Sequence, residues 1–282
     1  MTNRRQFIKT LTVAAAGAVA MKSFAGNSLG NLHKAPVGLQ LWTLRDTIQA
    51  DTLNTLKQVS KAGYALIEPY GFDGSFYGIP AKEFRKMAED LGLQITATHT
   101  GITAGNADSI IEKANDAGLK YLVLPSAGDR PFASIEDYKQ LAAEMNIIGA
   151  KAQKASLRFG YHNHSHEFKE IEGKILYEIL LSETDPDLVC FELDLFWIVK
   201  GGYDPVNYFN NFPGRFALWH VKDMAETGES TVIGSGTIDL KKIFSQAKKS
   251  GMKYFFVEQE EYQSTPIQSI FDSYTFISDQ LL

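Results

Sequence analysis

Hydrophobic and polar positions recur in a fixed order along residues 37–282. A helical stretch leads to a glycine and then to a short apolar run, as in "KAGYALIEP" (61–69) and "SGMKYFFVEQE" (250–260). A glycine in the left-handed conformation commonly ends a helix, and a nearly continuous apolar run is typical of a parallel strand buried on both faces. Residues 134–155 have apolar positions at helical spacing after a capping-box pattern at Ser134 and Asp137. The pattern therefore predicts alternating helices and parallel strands.

Eight apolar runs have the length of barrel strands. They are "VGLQLW" (37–42), "ALIEPY" (65–70), "QITATH" (94–99), "YLVLPS" (121–126), "RFGYHN" (158–163), "VCFELD" (189–194), "FALWHV" (216–221) and "YFFVEQ" (254–259). Eight strands with helices between them predict a single-domain α/β protein, a (β/α)8 TIM barrel over residues 37–282. A doubly wound sheet is the alternative, but no Gly-rich phosphate loop follows the first strand.

The N-terminus has the features of an export signal. Arg4 and Arg5 precede an apolar run from Leu11 to Met21, and small residues lie before a predicted cleavage point after Ala25. The segment R-R-x-F-I-K resembles a twin-arginine (Tat) signal, and the apolar run is too short to span a bilayer. We expect a signal peptide over 1–25, a linker over 26–36 and an exported, periplasmic protein without stable membrane insertion after cleavage.

Composition narrows the classes of partner and of site. The 282 residues are 44% hydrophobic and carry a formal net charge of -5, which disfavours a nucleic-acid partner because such partners usually require a basic surface. Cys190 is the single cysteine, so neither an intramolecular disulfide nor a cysteine metal site can form. Within "LVCF" it is expected to be a buried thiol.

Polar side chains follow strand after strand at the end where TIM barrels carry their chemistry. They are Gln40, Trp42, Glu68, His99, His162, His164, Glu192, Asp194, His220, Lys222, Glu258 and Glu260. Residues two apart on a strand face the same way, so the members of a pair such as Glu192 and Asp194 should point together. Buried acidic groups need a compensating cation, and a mixed carboxylate and imidazole set suits one divalent ion, Mn²⁺, Mg²⁺, Co²⁺ or Zn²⁺.

Seven motifs together resemble the xylose isomerase-like TIM barrels, the sugar phosphate isomerase/epimerase family. They are "VGLQLWTLRD", "IEPYGF", "YHNHSHEF", "ELDLFW", "HVKD", "GSGTIDL" and "FVEQE", and the resemblance covers about residues 37–282. It implies one divalent metal held at the ends of the fifth to eighth strands, usually by Glu, Asp, His and Glu. Asp194, His220 and Glu258 match the last three of these ligands.

The fifth strand departs from the family pattern, because His162 stands where relatives often have glutamate. We predict His162 as the fourth metal ligand, with Glu167 as the alternative. His164 and Glu167 are then expected closer to the substrate, and His166 is expected to face solvent.

This departure bears on the mechanism that the resemblance implies. In the epimerases two metal-bound glutamates move a proton through an enediolate while the metal stabilises the developing negative charge. With His162 in the first position, Glu258 is the remaining glutamate of that kind. His164, Glu167 or Glu192 could provide a second base. Alternatively, one base suffices for β-elimination from a 3-keto-glycoside or an inosole.

Four further residues are predicted to bind substrate. Trp197 lies where some relatives have a histidine and could stack on a sugar face. Lys222 could bind a sugar oxygen or an anionic group, or form a salt bridge with Asp223 or Glu192. Glu68 and His99 are expected to line the pocket, or else to form a buried hydrogen-bonded pair.

The sequence thus predicts a metal-dependent isomerase or epimerase acting on a carbohydrate, with a lyase as the runner-up. Export favours an unphosphorylated sugar. A non-catalytic sugar-binding barrel is the alternative from another class, and a nuclease of the same fold is disfavoured by the acidic charge and the small number of histidines. A homodimer is a candidate assembly.

Overall fold

The computed structural model describes residues 35–127 and 134–282, and its central feature is a ring of parallel strands. The first to eighth barrel strands are Gly38–Gln40, Leu66–Glu68, Gln94–Ile95 continued as Ala97–His99, Tyr121–Leu124, Arg158–His162, Val189–Asp194, Leu218–Val221 and Tyr254–Val257. Each matches one apolar run of the sequence. The prediction of eight strands is therefore confirmed, with a break at Thr96 that divides the third strand in two.

The strands pair in parallel and in chain order around the ring. The first strand pairs with both the second and the eighth, with Gly38 opposite Leu66 on one side and Phe256 on the other. The two ends of the nine-segment sheet are the two pieces of the third strand, so the ring closes on the chain itself at Thr96, supported by a bridge between Tyr70 and His99. This closure confirms the TIM-barrel fold class.

Helices follow the strands as the amphipathic pattern predicted. The α-helices are Arg45–Ile48, Thr52–Ala62, Ala81–Asp90, Ala107–Ala117, Ile135–Lys154, Leu176–Glu183, Leu195–Lys200, Pro205–Asn211, Leu240–Phe244, Ala247–Ser250 and Pro266–Gln280, and the 3-10 helices are Leu41–Leu44 and His166–Phe168. The capping box at Ser134 and Asp137 is present, and Gly63 and Gly251 end their helices in the left-handed conformation.

The barrel interior is apolar at one end and polar at the other. A buried cluster that includes Leu66, Cys190, Leu218 and Phe256 fills the end where the strands begin, which confirms the expectation of a buried thiol. Gly38 makes room for this packing, because a Cβ there would lie 2.4 Å from the Phe256 ring. Residues two apart on a strand face the same way, and the inward-facing residues two positions further along these strands are carboxylates and imidazoles. The apolar layer is therefore followed by a polar layer toward the carboxyl end of the barrel.

The predicted signal peptide (1–25) and most of the linker (26–36) lie outside the described residues. Within residues 35–127 and 134–282, none of the helices combines the length and apolar character needed to cross a membrane.

Candidate metal centre

Four side chains from consecutive strands meet at the carboxyl end of the barrel. Hereafter the upper cluster, they are His162, Asp194, His220 and Glu258, and one ligand atom of each lies within 4.8 Å of the others. All four side chains are buried. They belong to the fifth to eighth strands or follow them directly, so parallel pairing brings together residues that are far apart in the chain. The structure thus assembles the predicted ligand set, including His162 on the strand that departs from the family pattern.

Two pairs of hydrogen-bond acceptors face each other within the upper cluster. The ring Nδ1 of His162 lies 3.0 Å from the carbonyl oxygen of Pro125, which can only accept, so this nitrogen carries the hydrogen. In the neutral ring Nε2 then has the lone pair, and it faces Asp194 Oδ2 at 3.3 Å. A lone pair directed at a carboxylate requires a cation or a proton between them.

His220 repeats the same arrangement with its two nitrogens exchanged. Its Nε2 lies 2.8 Å from Glu68 Oε2, and its Nδ1 lies 2.8 Å from Glu258 Oε2. This Nδ1 and this Oε2 are close, yet neither has a partner in hydrogen-bond geometry although both are buried. Buried polar atoms left unpartnered are costly, and their convergence fits the coordination of a metal ion. The two imidazoles and two carboxylates suit Mn²⁺, Co²⁺ or Zn²⁺.

Charges around the upper cluster depend strongly on one buried lysine. Lys222 is fully buried, with its Nζ 3.2 Å from Asp194 Oδ2 and 3.0 Å from Glu258 Oε2 and in contact with Glu260 Oε1. These are not the salt-bridge partners expected from the sequence, Asp223 or Glu192. Strand alternation turns Lys222 away from Asp223, and Glu192 lies one layer lower, in contact with His99 and His220. Burial works to raise the pKa of Asp194, but the charge of Lys222 and the bond to His162 outweigh it and hold that pKa well below its usual range.

A second layer of polar groups lies beneath the upper cluster. Hereafter the lower network, it consists of Gln40, Glu68, His99 and Glu192. His99 Nε2 lies 2.7 Å from Glu192 Oε2 but 3.9 Å from Glu68 Oε2, so His99 bonds to Glu192 rather than to Glu68. Burial and the charge of Glu192 raise the pKa of Glu68 to about 8. Burial also acts to raise the pKa of Glu192, but His220 and His99 outweigh it and lower that pKa.

A cavity of about 380 Å³ opens above the upper cluster. Five of the predicted site residues contribute to its lining, namely His99, His162, His164, Lys222 and Glu258. Glu68, Asp194 and His220 are fully buried below it. Trp42, with 40% of its surface exposed, and Tyr70 stand edge to face at 4.8 Å and form an aromatic wall.

The structure corrects the position expected for Glu167. A 3-10 turn after the fifth strand directs its side chain inward, where Oε1 accepts from the Tyr161 hydroxyl at 2.7 Å and Oε2 accepts from the His164 backbone N–H at 2.8 Å. Glu167 is fully buried and is not among the residues that line the cavity. It shapes the loop that carries His164 instead of facing substrate. His166 is exposed, as expected.

Trp197 also differs from its predicted placement on a sugar face. Its backbone N–H donates to Asp194 Oδ1 at 2.9 Å, and its ring lies 5.4 Å from that of His164. The Trp197 ring is not among the residues that line the cavity, and it packs against His164 instead of facing a substrate. Tyr70 and Thr100, by contrast, line the cavity without having been singled out. Their position directly after the second and third strands is the signal that could have identified them.

Comparison with known proteins agrees with this fold. The family model described as xylose isomerase-like TIM barrel matches residues 56–279. A sugar phosphate isomerase/epimerase from Parabacteroides distasonis is 30% identical, with a TM-score of 0.79 over 90% of this chain and 96% of that one. An IOLI protein whose structure holds a zinc atom shares the fold at 16% identity and a TM-score of 0.67, over 86% of this chain and 97% of that one.

Curated relatives include inosose dehydratases. One from Bacillus cereus (strain AH820) is 24% identical over an alignment of 298 positions, and the match covers 89% of this chain and 98% of that protein. The match to one from Lacticaseibacillus casei is 26% identical over 161 residues and covers 50% of this chain. It covers 53% of that protein, so there the chain spans about half the length of its relative.

Proposed function

Because the chain belongs to the xylose isomerase-like TIM barrel family, we propose that it is a divalent-metal-dependent enzyme that removes a proton next to the carbonyl of an unphosphorylated sugar or keto-sugar. The observation that carries this proposal is the meeting of two buried acceptors in the upper cluster, His220 Nδ1 and Glu258 Oε2, 2.8 Å apart and neither with a partner in hydrogen-bond geometry. His162, Asp194, His220 and Glu258 would hold the metal. When bound, it would supply Lewis-acid stabilisation of the negative charge that develops on the substrate oxygens.

Glu258 is the proposed base. It lines the cavity while its carboxylate contacts Lys222 and His220. Burial acts to raise the pKa of Glu258, but the charge of Lys222 and the contact with His220 outweigh it and keep the group ionised. An ionised carboxylate at the cavity floor can accept a proton from a carbon held above it.

His164 is the proposed second proton-handling group. It lies in the cavity lining, and its Nδ1 is buried without a hydrogen-bond partner. Burial and the neighbouring His162 ring lower the pKa of His164 to about 3, so the ring is neutral near pH 7. As a weak base, it would release readily any proton that it takes from the substrate. Glu258 and His164 would thus provide two proton-handling groups at the ends of two different strands. Epimerisation and isomerisation need such a pair, because the proton returns to another face or another carbon of the substrate.

The charge of the cavity supports an unphosphorylated substrate. Glu258 and Glu260 both line it, and Lys222 is the only lysine or arginine among the described lining residues. Three carboxylates already engage Lys222. Apart from the metal itself, a phosphate dianion would therefore meet two carboxylates and no free cationic side chain among these lining residues.

Elimination is the second candidate reaction on the same site. His162 leaves Glu258 as the one glutamate of the upper cluster, and loss of water or of a glycosidic group next to a carbonyl needs a single carbon base. The inosose dehydratases among the relatives favour this outcome. Epimerisation or isomerisation would return the proton, whereas elimination would release a leaving group.

A combined metal and exchange experiment tests the proposal. Purified protein is assayed for bound divalent metal, and a panel of keto-sugars, inososes and 3-keto-glycosides is followed by NMR in deuterated solvent. We expect one metal per chain and deuterium incorporation at a carbon next to a carbonyl, with loss of incorporation in Glu258→Gln. Product analysis then separates epimerisation from elimination. Absence of bound metal would reject the metalloenzyme, and metal without exchange on any compound would favour the non-catalytic sugar-binding barrel.

We further propose that the protein is exported through its twin-arginine segment and processed after Ala25. The support is the order of basic, apolar and small residues in the sequence. N-terminal sequencing of the periplasmic protein should begin at Gly26, and replacing Arg4 and Arg5 by lysines should retain the unprocessed chain in the cytoplasm. Processing at the normal rate in that variant would reject a twin-arginine route.

A further inference from the structure

Two buried glutamates below the upper cluster both contact His220, one of its four members. Glu68 and Glu192 come from the second and sixth strands and are fully buried. Their Oε2 atoms contact His220 Nε2 at 2.8 Å and 3.2 Å. Neither glutamate is among the residues that line the cavity. Buried acidic groups are costly unless they are hydrogen-bonded or paired, so the contacts of this pair with histidines are the reason that both can be buried here.

We propose that Glu68 and Glu192 are positioning residues that fix the tautomer and orientation of His220 as a metal ligand. This inference rests on the metal centre of the proposed function. Glu68 Oε2 accepts a hydrogen bond from Gln40 Nε2, so it carries no hydrogen of its own and must also accept from His220. The hydrogen of His220 therefore lies on Nε2, the nitrogen that both glutamates face. The lone pair then lies on Nδ1, which faces Glu258 and Asp194 in the upper cluster. Carboxylates commonly hold metal-binding histidines in this way.

Glu68 is itself held in place by a chain of directed hydrogen bonds. The backbone N–H of Trp42 donates to Gln40 Oε1 at 3.0 Å, which fixes the orientation of the amide. Gln40 Nε2 must then face the other way, and it donates to Glu68 Oε2 at 2.9 Å. The same oxygen accepts from His220. The backbone at Trp42 thus fixes the Gln40 amide, the amide fixes Glu68, and Glu68 fixes the His220 ring.

Glu192 contacts His220 less closely than Glu68 does, and its closest contact is with His99. Its distance to His220 Nε2 is 0.4 Å longer than that of Glu68 (3.2 against 2.8 Å), and its shortest contact is to His99 Nε2 at 2.7 Å. The His99 ring is stacked on the His220 ring at 5.1 Å, with 18° between the planes. By holding His99, Glu192 supports the face of His220.

A second metal ion is the competing explanation for the same residues. One ligand atom each of Glu68, His99, Glu192 and His220 also lies within 4.8 Å of the others. However, Glu68 Oε2 already accepts from Gln40 and His220. His220 Nε2 cannot donate its hydrogen and bind a metal at once. The number of metal ions per chain separates the two explanations.

Titration with Co²⁺, followed by its visible absorption and by competition with a chelator, tests the positioning role. Wild type should bind one Co²⁺ per chain. Glu68→Gln should weaken binding by about 10- to 100-fold and alter the absorption bands, because an uncharged amide holds the Nε2 hydrogen less strongly. Glu192→Gln should have a smaller effect. Glu167→Gln is the matched control, since it neutralises another fully buried glutamate that makes no contact with the upper cluster.

Each result has a definite meaning. Unchanged affinity and spectrum in Glu68→Gln would overturn the positioning role, as would two Co²⁺ per wild-type chain with one lost in Glu68→Gln. No binding by wild type would overturn the proposed function itself, so the two failures differ. If Glu68→Gln does not fold, Gln40→Met removes the donor that orients Glu68 and should weaken Co²⁺ binding in the same direction. Unchanged binding in that variant would also reject the role.

Discussion

His162 stands where the sequence resemblance implied a glutamate ligand. Its Nδ1 is committed to the Pro125 carbonyl, which leaves Nε2 facing Asp194 in the upper cluster. We expect His162→Ala to lose bound metal far more severely than Glu167→Ala, because Glu167 faces Tyr161 and the His164 backbone. Metal content after dialysis measures the difference. The reverse order would make Glu167 the fifth-strand ligand.

Glu167 has a separate consequence for the pH dependence of stability. Burial raises its pKa from 4.5 to about 7, against the opposing hydrogen bond from Tyr161. Between these values the folded chain keeps a proton that the unfolded chain has released, so the contribution of this group is complete below pH 4.5 and is lost as pH rises through 7. Glu167→Gln cannot ionise and should gain stability relative to wild type over that interval, on the order of 3 kcal/mol.

Urea unfolding of the two proteins at several pH values measures this difference. The proteins should converge below pH 4.5 and differ by a constant amount above about pH 8. A difference in unfolding free energy that does not change with pH would show that Glu167 has an ordinary pKa in the folded protein.

At the scale of elements, the helix Ile135–Lys154 shows how packing overrides local preference. Gly149 lies inside this helix, where alanine would normally be better by about 1 kcal/mol. A Cβ at this position would lie 2.6 Å from the backbone oxygen of Leu188, and backbone cannot move aside as a flexible side chain can. We expect Gly149→Ala to destabilise the fold by about 1–3 kcal/mol.

The midpoint of urea unfolding tests this expectation. Ile147→Ala is the control on the same helix, because Ile147 is 51% exposed and its replacement should change stability by less than about 0.5 kcal/mol. A more stable Gly149→Ala protein would show that the helix and the chain at Leu188 can separate at little cost.

At the scale of the whole molecule, the sequence predicted the barrel well because the fold follows from a pattern repeated eight times. Apolar runs and glycine stops are local signals, and strand alternation turned the pairs Glu192–Asp194 and His220–Lys222 inward together. The position of Glu167 was not predictable in this way. It depends on the 3-10 turn His166–Phe168, whose hydrogen bonds to Tyr161 and His164 form only after folding. The roles assigned to the site residues stay predictions.

The lower network was beyond sequence reasoning for the same reason. The sequence shows that Glu68 and Glu192 lie near strand ends. It does not show that both contact the same nitrogen of His220. Such a contact depends on the register of strands 2, 6 and 7 around the closed ring. Neighbouring strands could be aligned from their lengths, whereas contacts across the barrel require its actual diameter and tilt.

The charge balance of the barrel as a whole makes stability depend on metal. Three carboxylates with lowered pKa values, Glu192, Asp194 and Glu258, are buried around one buried ammonium, that of Lys222. A divalent ion bound only by the folded chain offsets this excess of negative charge. At a free concentration 100 times the dissociation constant, it should stabilise the fold by about 2.7 kcal/mol. Chelation should therefore lower the Tm by about 5–10 °C for a domain of this size.

Thermal unfolding of metal-loaded and chelator-treated protein measures this shift, and restoring the metal should reverse it. His162→Ala is the matched control. Without one of the four ligands, its Tm should respond weakly to either treatment, whereas the Tm of Glu167→Gln should respond as wild type does because the upper cluster is intact. Equal Tm values for loaded and chelated wild type would mean that protons on the buried groups balance the charge as well as a metal ion does.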